Sequence, residues 1–177
     1  MFMKKILLLI IVLLTIPLVY SSNLKEYPDF FIKDNVLDVT IVVGDLAIAS
    51  DTIGAIEIAT SLKSYEGANK VNIKAALSSE IEDLKAQNVI VVGGPCANSA
   101  AAELLNYPVV CSESIPSNTG IISLFEYDNF NVLLVAGSSA ADTRRTSGVL
   151  ANSDDYSFPK SNYMEVIKAL EKRVTIN

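Results

Sequence analysis

Apolar residues in this chain gather in short unbroken runs rather than alternating with polar ones. Three runs open the same phrase: Thr40–Ala59 (TIVVGDLAIASDTIGAIEIA), Asn88–Leu105 (NVIVVGGPCANSAAAELL) and Asn131–Asn152 (NVLLVAGSSAADTRRTSGVLAN). Each begins with β-branched residues, breaks at Gly44, Gly93-Gly94 or Gly137, and resumes as an Ala-rich helical stretch. A continuous apolar strand is what a sheet covered on both faces requires. The pattern predicts an α/β fold, Rossmann-like, with a mostly parallel sheet flanked by helices and built from three strand–loop–helix units. Such a fold class does not by itself name a function.

The first unit predicts a strand over Val36–Val43 and a helix over Ala47–Lys63. Ile48, Ile53, Ile56 and Leu62 fall near helical spacing and form its expected core face. Asp45 or Asp51 sits in its first turn, where a carboxylate complements the helix dipole. Val71–Leu77 reads as a short strand and Ser79–Gln87 as a short helical turn. The second unit supplies a strand over Asn88–Val92, a turn at Gly93-Gly94-Pro95 and a helix over Ala97–Leu105, and Pro108–Cys111 reads as an extended return. Ile121–Phe125 is apolar with its type open, and Asp128-Asn129 reads as a turn. The third unit supplies a strand over Val132–Ala136 and a helix over Ala140–Ala151. A helix over Tyr163–Arg173 and a final strand over Val174–Ile176 complete the expected elements.

The N-terminal segment has a different pattern. Lys4 and Lys5 precede an almost wholly apolar run, Ile6–Tyr20, and small residues follow at Ser21 and Ser22. This is the layout of a secretory signal peptide, and the run is short against the ~20 residues of a membrane-spanning helix. The organisation expected is a signal peptide over 1–21, a lead-in over 22–35 and a single domain over 36–177. The rival reading is an uncleaved anchor; both place the folded part outside the cytoplasm. Tyr27, Phe30 and Phe31 of the lead-in are expected to pack on the domain edge.

Charge and chemistry narrow the function classes. The net charge is −6, and two units more negative without Lys4 and Lys5. An acidic exported domain without a basic run is a poor partner for nucleic acid or an anionic membrane surface. The sequence has no histidine, which removes Ser–His and Cys–His nucleophiles and His-ligated zinc. Ser138-Ser139 follows a strand as a nucleophile would, but Gly137-Ser138-Ser139-Ala140-Ala141 lacks the second glycine of that motif, so these serines read as helix N-cap residues. Gly93-Gly94-Pro95 matches neither phosphate-binding glycine motif, and Pro95 lacks a backbone donor. With Gly137, it reads as a structural turn. Asp142, Arg144 and Arg145 open the third helix, where an arginine could grip a carboxylate such as Asp45, Asp51 or Glu103. The bland reading of these residues is a structural ion pair, the sharper one a weak ligand site. Asp154 and Asp155 offer oxygen ligands to calcium, although their spacing matches no EF-hand loop and a solvated loop is the favoured reading. Cys96 and Cys111 are the only cysteines. In an exported protein such a pair reads as a disulfide spanning the second helix, the alternative being two free buried thiols.

The second and third phrases carry a resemblance. Gly93-Gly94-Pro95-Cys96-Ala97-Asn98, the later Cys111, Ala136-Gly137, Ala141-Asp142-Thr143-Arg144-Arg145 and Val149-Leu150-Ala151-Asn152 closely resemble the conserved region of archaeal S-layer proteins. The first unit, Val42-Val43-Gly44-Asp45 with its helix, looks like the opening strand and helix of that family, so the likeness covers most of Val36–Tyr156. A looser likeness is to bacterial type 2 cell-wall-binding repeats. The resemblance implies a non-enzymatic structural protein of the cell envelope, secreted to the cell surface and needing no cofactor, with Cys96–Cys111 as a structural disulfide and Arg144 and Arg145 as stabilising residues. Family members are usually longer, which leaves self-assembly open. Expected partners are further copies, larger S-layer proteins or a cell-wall polymer; the membrane is contacted only through residues 1–21 if these are uncleaved. The alternatives are a polysaccharide-binding module, disfavoured by an aromatic content of 7% with no tryptophan, and a small-ligand binder using the crevice near Gly93, Ser138 and Arg144.

Overall fold

The computed structural model describes residues 21–167; the expected signal segment except Ser21, the part of the expected helix after residue 167 and the final expected strand lie outside them. Seven strands form one sheet: β1 (Ile32–Lys33), β2 (Val36–Val43), β3 (Lys70–Leu77), β4 (Val89–Val92), β5 (Thr119–Tyr127), β6 (Phe130–Gly137) and β7 (Tyr163–Ile167). Among the described residues three α-helices accompany them: α1 (Ala49–Lys63), α2 (Ser99–Leu104) and α3 (Ala140–Ala151). The sheet runs β1-β2-β4-β6-β5-β7, with β3 on the other edge of β2. The strands of the three repeated phrases, β2, β4 and β6, lie side by side and parallel, with β3 parallel to β2.

The sheet as a whole is mixed, and this corrects the mostly parallel, Rossmann-like expectation. Three of its six ladders are antiparallel: β1 with β2, β5 with β6, and β5 with β7. The cause is local. The apolar run at Ile121–Phe125 belongs to the nine-residue β5, and only Asp128-Asn129 separate it from β6. Two residues can close a hairpin, whereas a parallel neighbour needs a crossover of about a dozen. At the other end, Asp34 and Asn35 both adopt left-handed backbone (φ 52° and 61°), as a tight hairpin turn requires, and so fold β1 back on β2. The helix expected from Tyr163 begins instead as β7. Met164 and Val166 turn inward while Tyr163, Glu165 and Ile167 are exposed, a period of two.

The register stacks like side chains into rows across the sheet. Ile41, Ile90, Leu133 and Leu124 align on one face, and Val42, Val91 and Leu134 on the other. The first face packs against Ala55, Ile58 and Leu62 of α1 and Val149 and Leu150 of α3. The second packs against Ala100 and Ala101 of α2 with Leu84 and Ile115 from the loops. Both faces are thus covered, as the unbroken apolar strands demand. The lead-in segment contributes to the core itself: Leu24 and Phe31 are fully buried, and Phe30 stacks edge-on against Phe31 at 4.6 Å.

Helix α1 buries Leu62 as expected but turns the other three residues of its expected core face outward. Ile48, Ile53 and Ile56 are exposed, and Asp51, Gly54, Ala55, Ile58 and Leu62 are buried. Its apolar residues lie all round the cylinder, so periodicity could not choose the face. Packing chose it, because α1 lies against α3 at Gly54. A Cβ on Gly54 would stand 2.5 Å from Ser147 Oγ and 2.8 Å from its Cβ. The crossing admits hydrogen there and nothing larger. Gly54→Ala is expected to lose about 1–3 kcal/mol in urea unfolding, as overpacked sites do, although alanine is the better helix former. Ser147→Ala in the same chain should recover part of that loss.

Candidate functional site

The parallel strands β2, β4 and β6 end at the same level, and the loops that leave them enclose a crevice of about 170 Å³. Its walls come from the start of α1 (Ile48, Asp51), the Gly94–Ala97 turn, the disulfide, and the start of α3 (Ser139, Ala140, Thr143). Carboxyl ends of parallel strands are where open α/β sheets bind ligands. Gly93, at φ +118°, makes the turn possible, since that backbone is open to glycine and strained for other residues. Its N–H bonds to the Val135 carbonyl at 3.0 Å, which locks the β4 exit to β6. Gly137 admits the first turn of α3: a Cβ there would meet Thr143 N at 2.2 Å.

The bond between Cys96 and Cys111 is formed, joining the loop after β4 to a 3-10 turn at Cys111–Glu113. The expected extended return at Pro108–Cys111 is therefore irregular, and Val109 and Val110 are exposed. Asn98, one residue before α2, is buried and makes four contacts. Its Nδ2 donates to the Val92 carbonyl at 2.9 Å and the Val42 carbonyl at 3.4 Å, and its Oδ1 accepts from Ala100 N and Ala101 N. It caps α2 and ties two strand ends together. An Asn directly before an Ala-rich run is an N-cap signal, but nothing in the sequence signals its bonds to the strands.

The charged residues of the third phrase are committed to structure. Asp142, buried in the first turn of α3, pairs with Arg145 and accepts from Ser138 Oγ and Ser139 Oγ, each at 2.7 Å. Burial pushes its pKa up, but the hydrogen bonds from Ser139, Ser138 and Arg145 outweigh that and hold it below the usual carboxylate value. Ser139 is the N-cap of α3, its Oγ accepting from Asp142 N. Arg144 forms a bidentate pair with Glu57, tying α3 to α1. The partner is thus Glu57 rather than Asp45, Asp51 or Glu103. Asp45 instead accepts from Ser78 and Ser79. Those bonds hold its pKa below the ordinary value. Asp154 and Asp155 lie in an exposed 3-10 turn, Ser153–Asp155. Among the described residues no three acidic, thiol or imidazole groups converge as a metal site.

Asp51 stands apart. It is 3% exposed. The Ile48 backbone and the Thr143 side chain favour its charged form, while Oδ1 has no hydrogen-bond partner. Burial dominates and raises its pKa.

The segment that carries the disulfide and the Asp-Thr-Arg-Arg run is similar to a known family. Residues 68–153 match the S-layer like family, outer domain. The match bears out the resemblance drawn from the second and third phrases, and it points to a structural role at the cell surface. No curated protein matches the chain. The S-layer-like segment runs from just before β3 through α3, so it holds the disulfide, Asn98, Asp142 and both arginines, whereas Asp51 and Glu57 lie before it.

Two outcomes follow for the S-layer-like segment. Asp142→Ala leaves the largely buried Arg145 guanidinium without its counter-charge and should cost about 3 kcal/mol in chemical denaturation, the lower end for a buried pair. Because the folded-state pKa of Asp142 lies below its unfolded value, the native protein's share of that stability is complete at neutral pH. It is lost as pH falls through the folded-state pKa, so the variant should show a shallower acid-side loss than the native protein. Separately, reducing the Cys96–Cys111 bond frees a loop with a sequence separation of 15. Unfolding in urea with and without reductant should differ by roughly 3 kcal/mol.

Proposed function

We propose that the protein is a non-enzymatic structural component of the cell envelope, exported to the surface and built into, or bound to, an S-layer-like coat. The observation that supports this beyond the family match is the outward apolar face of α1. Ile48, Ile53 and Ile56 stand 57%, 45% and 58% exposed, and Leu46 beside them 73%. Leu46 N bonds to the Ala97 carbonyl next to Cys96, and Val109 and Val110, just before Cys111, are also exposed. Several large apolar side chains left exposed in this way suit a contact with another macromolecule. Its partners are further copies of the chain or larger S-layer proteins. The carboxylate and guanidinium groups of the third phrase serve the fold, which accords with a passive role that needs no cofactor. Calcium enters this reading only as a bridge between acidic loops of neighbouring molecules, at Asp154 and Asp155.

One feature favours a wall polymer as an additional partner. A groove of about 510 Å³ is bordered by Tyr27, Tyr156 and Phe158, with Lys25 and Lys160 against one carboxylate, Asp154, a combination of aromatic residues and a small excess of positive charge that suits a polysaccharide.

Light scattering and negative-stain microscopy of the oxidised protein, with and without millimolar calcium, test the coat reading. Concentration-dependent assemblies are expected, and Ile53→Asp with Ile56→Asp should abolish them while leaving the circular dichroism spectrum unchanged. A monomer in every condition, alone and mixed with a coat preparation, would overturn it.

A further inference from the structure

The buried carboxylate of Asp51 is the one group at the strand-end crevice that the fold leaves unanswered. A buried polar atom without a partner is costly, and a buried carboxylate is normally matched by a cation. The two arginines nearest in sequence to the crevice are engaged elsewhere, Arg144 by Glu57 and Arg145 by Asp142. Among the described residues no cation is bonded to Asp51. The start of α1, the Ile48 backbone and the Thr143 side chain favour its negative charge, yet burial outweighs them. What is missing is positive charge and a donor for Oδ1.

The crevice selects among cations. Its volume, about 170 Å³, exceeds the need of one water many times over and falls below the usual range for large organic ligands. A divalent metal would require several oxygen ligands, and Asp142, the next carboxylate, is already held by Arg145, Ser138 and Ser139. The walls are largely apolar: Ile48, Pro95, Ile115, Ala140 and the disulfide. An alkyl stem matches those walls and an ammonium head matches Asp51. We infer that the crevice between the first turns of α1 and α3 is a binding site for a primary alkylammonium group, with Asp51 as its counter-ion. The group can come from a free amine or from a lysine side chain of a neighbouring molecule. The site does not depend on the coat reading.

The probe is n-butylammonium chloride, titrated at neutral pH into the oxidised protein and followed by amide chemical shifts. Saturable shifts are expected at Ala140, Thr143 and Ile115. n-Butanol, with the same stem and no charge, should bind at least tenfold more weakly. Asp51→Asn, near-isosteric and free of the buried charge, should also weaken n-butylammonium at least tenfold. Ala140→Leu, which narrows the crevice but keeps Asp51, should do the same. If Asp51→Asn also weakens association between copies, the natural group is a neighbour's lysine; if association is unchanged, it is a free amine. Absence of saturable shifts, or equal binding of n-butylammonium to the native protein and Asp51→Asn, would overturn the site. Neither result bears on whether the protein assembles, which is read from scattering alone.

Discussion

The fold turns on one buried amide. Asn98 holds the carbonyl ends of β2 and β4 with its Nδ2 and the first free amides of α2 with its Oδ1. A strand end and a helix start each expose unpaired backbone groups, and a single side chain with both a donor and an acceptor satisfies the two together. Everything at that end follows from it. The loop from Gly93 to Asn98 must be short and closely packed, Gly44 must lie against Ala97, and the disulfide can then fasten the loop from outside. The crevice is the space left between that fastened loop and the first turns of α1 and α3.

Much of this was legible in the sequence wherever an element carried its own signal. β2 and α3 occupy the residues their apolar run and serine cap indicate, Val36–Val43 and Ala140–Ala151. The three phrases do give three neighbouring parallel strands. What periodicity could not supply was the order and direction of strands outside the phrases. Ile121–Phe125 is as apolar as any central strand, and only its distance from β6, two residues, makes it antiparallel. Tyr163–Ile167 carries a period of two over five residues, which the charged stretch after it obscured.

The site was less legible than the fold, for a related reason. A charge run such as Asp142–Arg145 announces that charges will meet, but not which. Arg145 reaches three residues back to Asp142, and Arg144 reaches across to Glu57 on another helix. The second pair depends on which face α1 turns inward, and that was decided by Gly54 and Ser147 rather than by the isoleucines. Had Ile53 and Ile56 packed inward, Glu57 could not have stood where Arg144 finds it. The same rotation places Asp51 in the crevice and leaves an apolar helix face in solvent, so one small-residue contact settles the ion pair, the buried carboxylate and the exposed surface together.

The placement of β1 has a mechanical meaning. β1 pairs with β2 over two residues only, Ile32 with Leu37 and Lys33 with Val36, and lies antiparallel to it. Tension applied from the N-terminal side would first draw on the buried anchors Leu24 and Phe31 and then peel this short hairpin, loading its bonds one after another. β2 itself is bonded along its whole length to β3 and over four residues to β4, both parallel, so the same tension reaching β2 would shear many bonds at once. With its anchors drawn out, the small hairpin would yield before the stiff sheet behind it, and the central strands would keep their register.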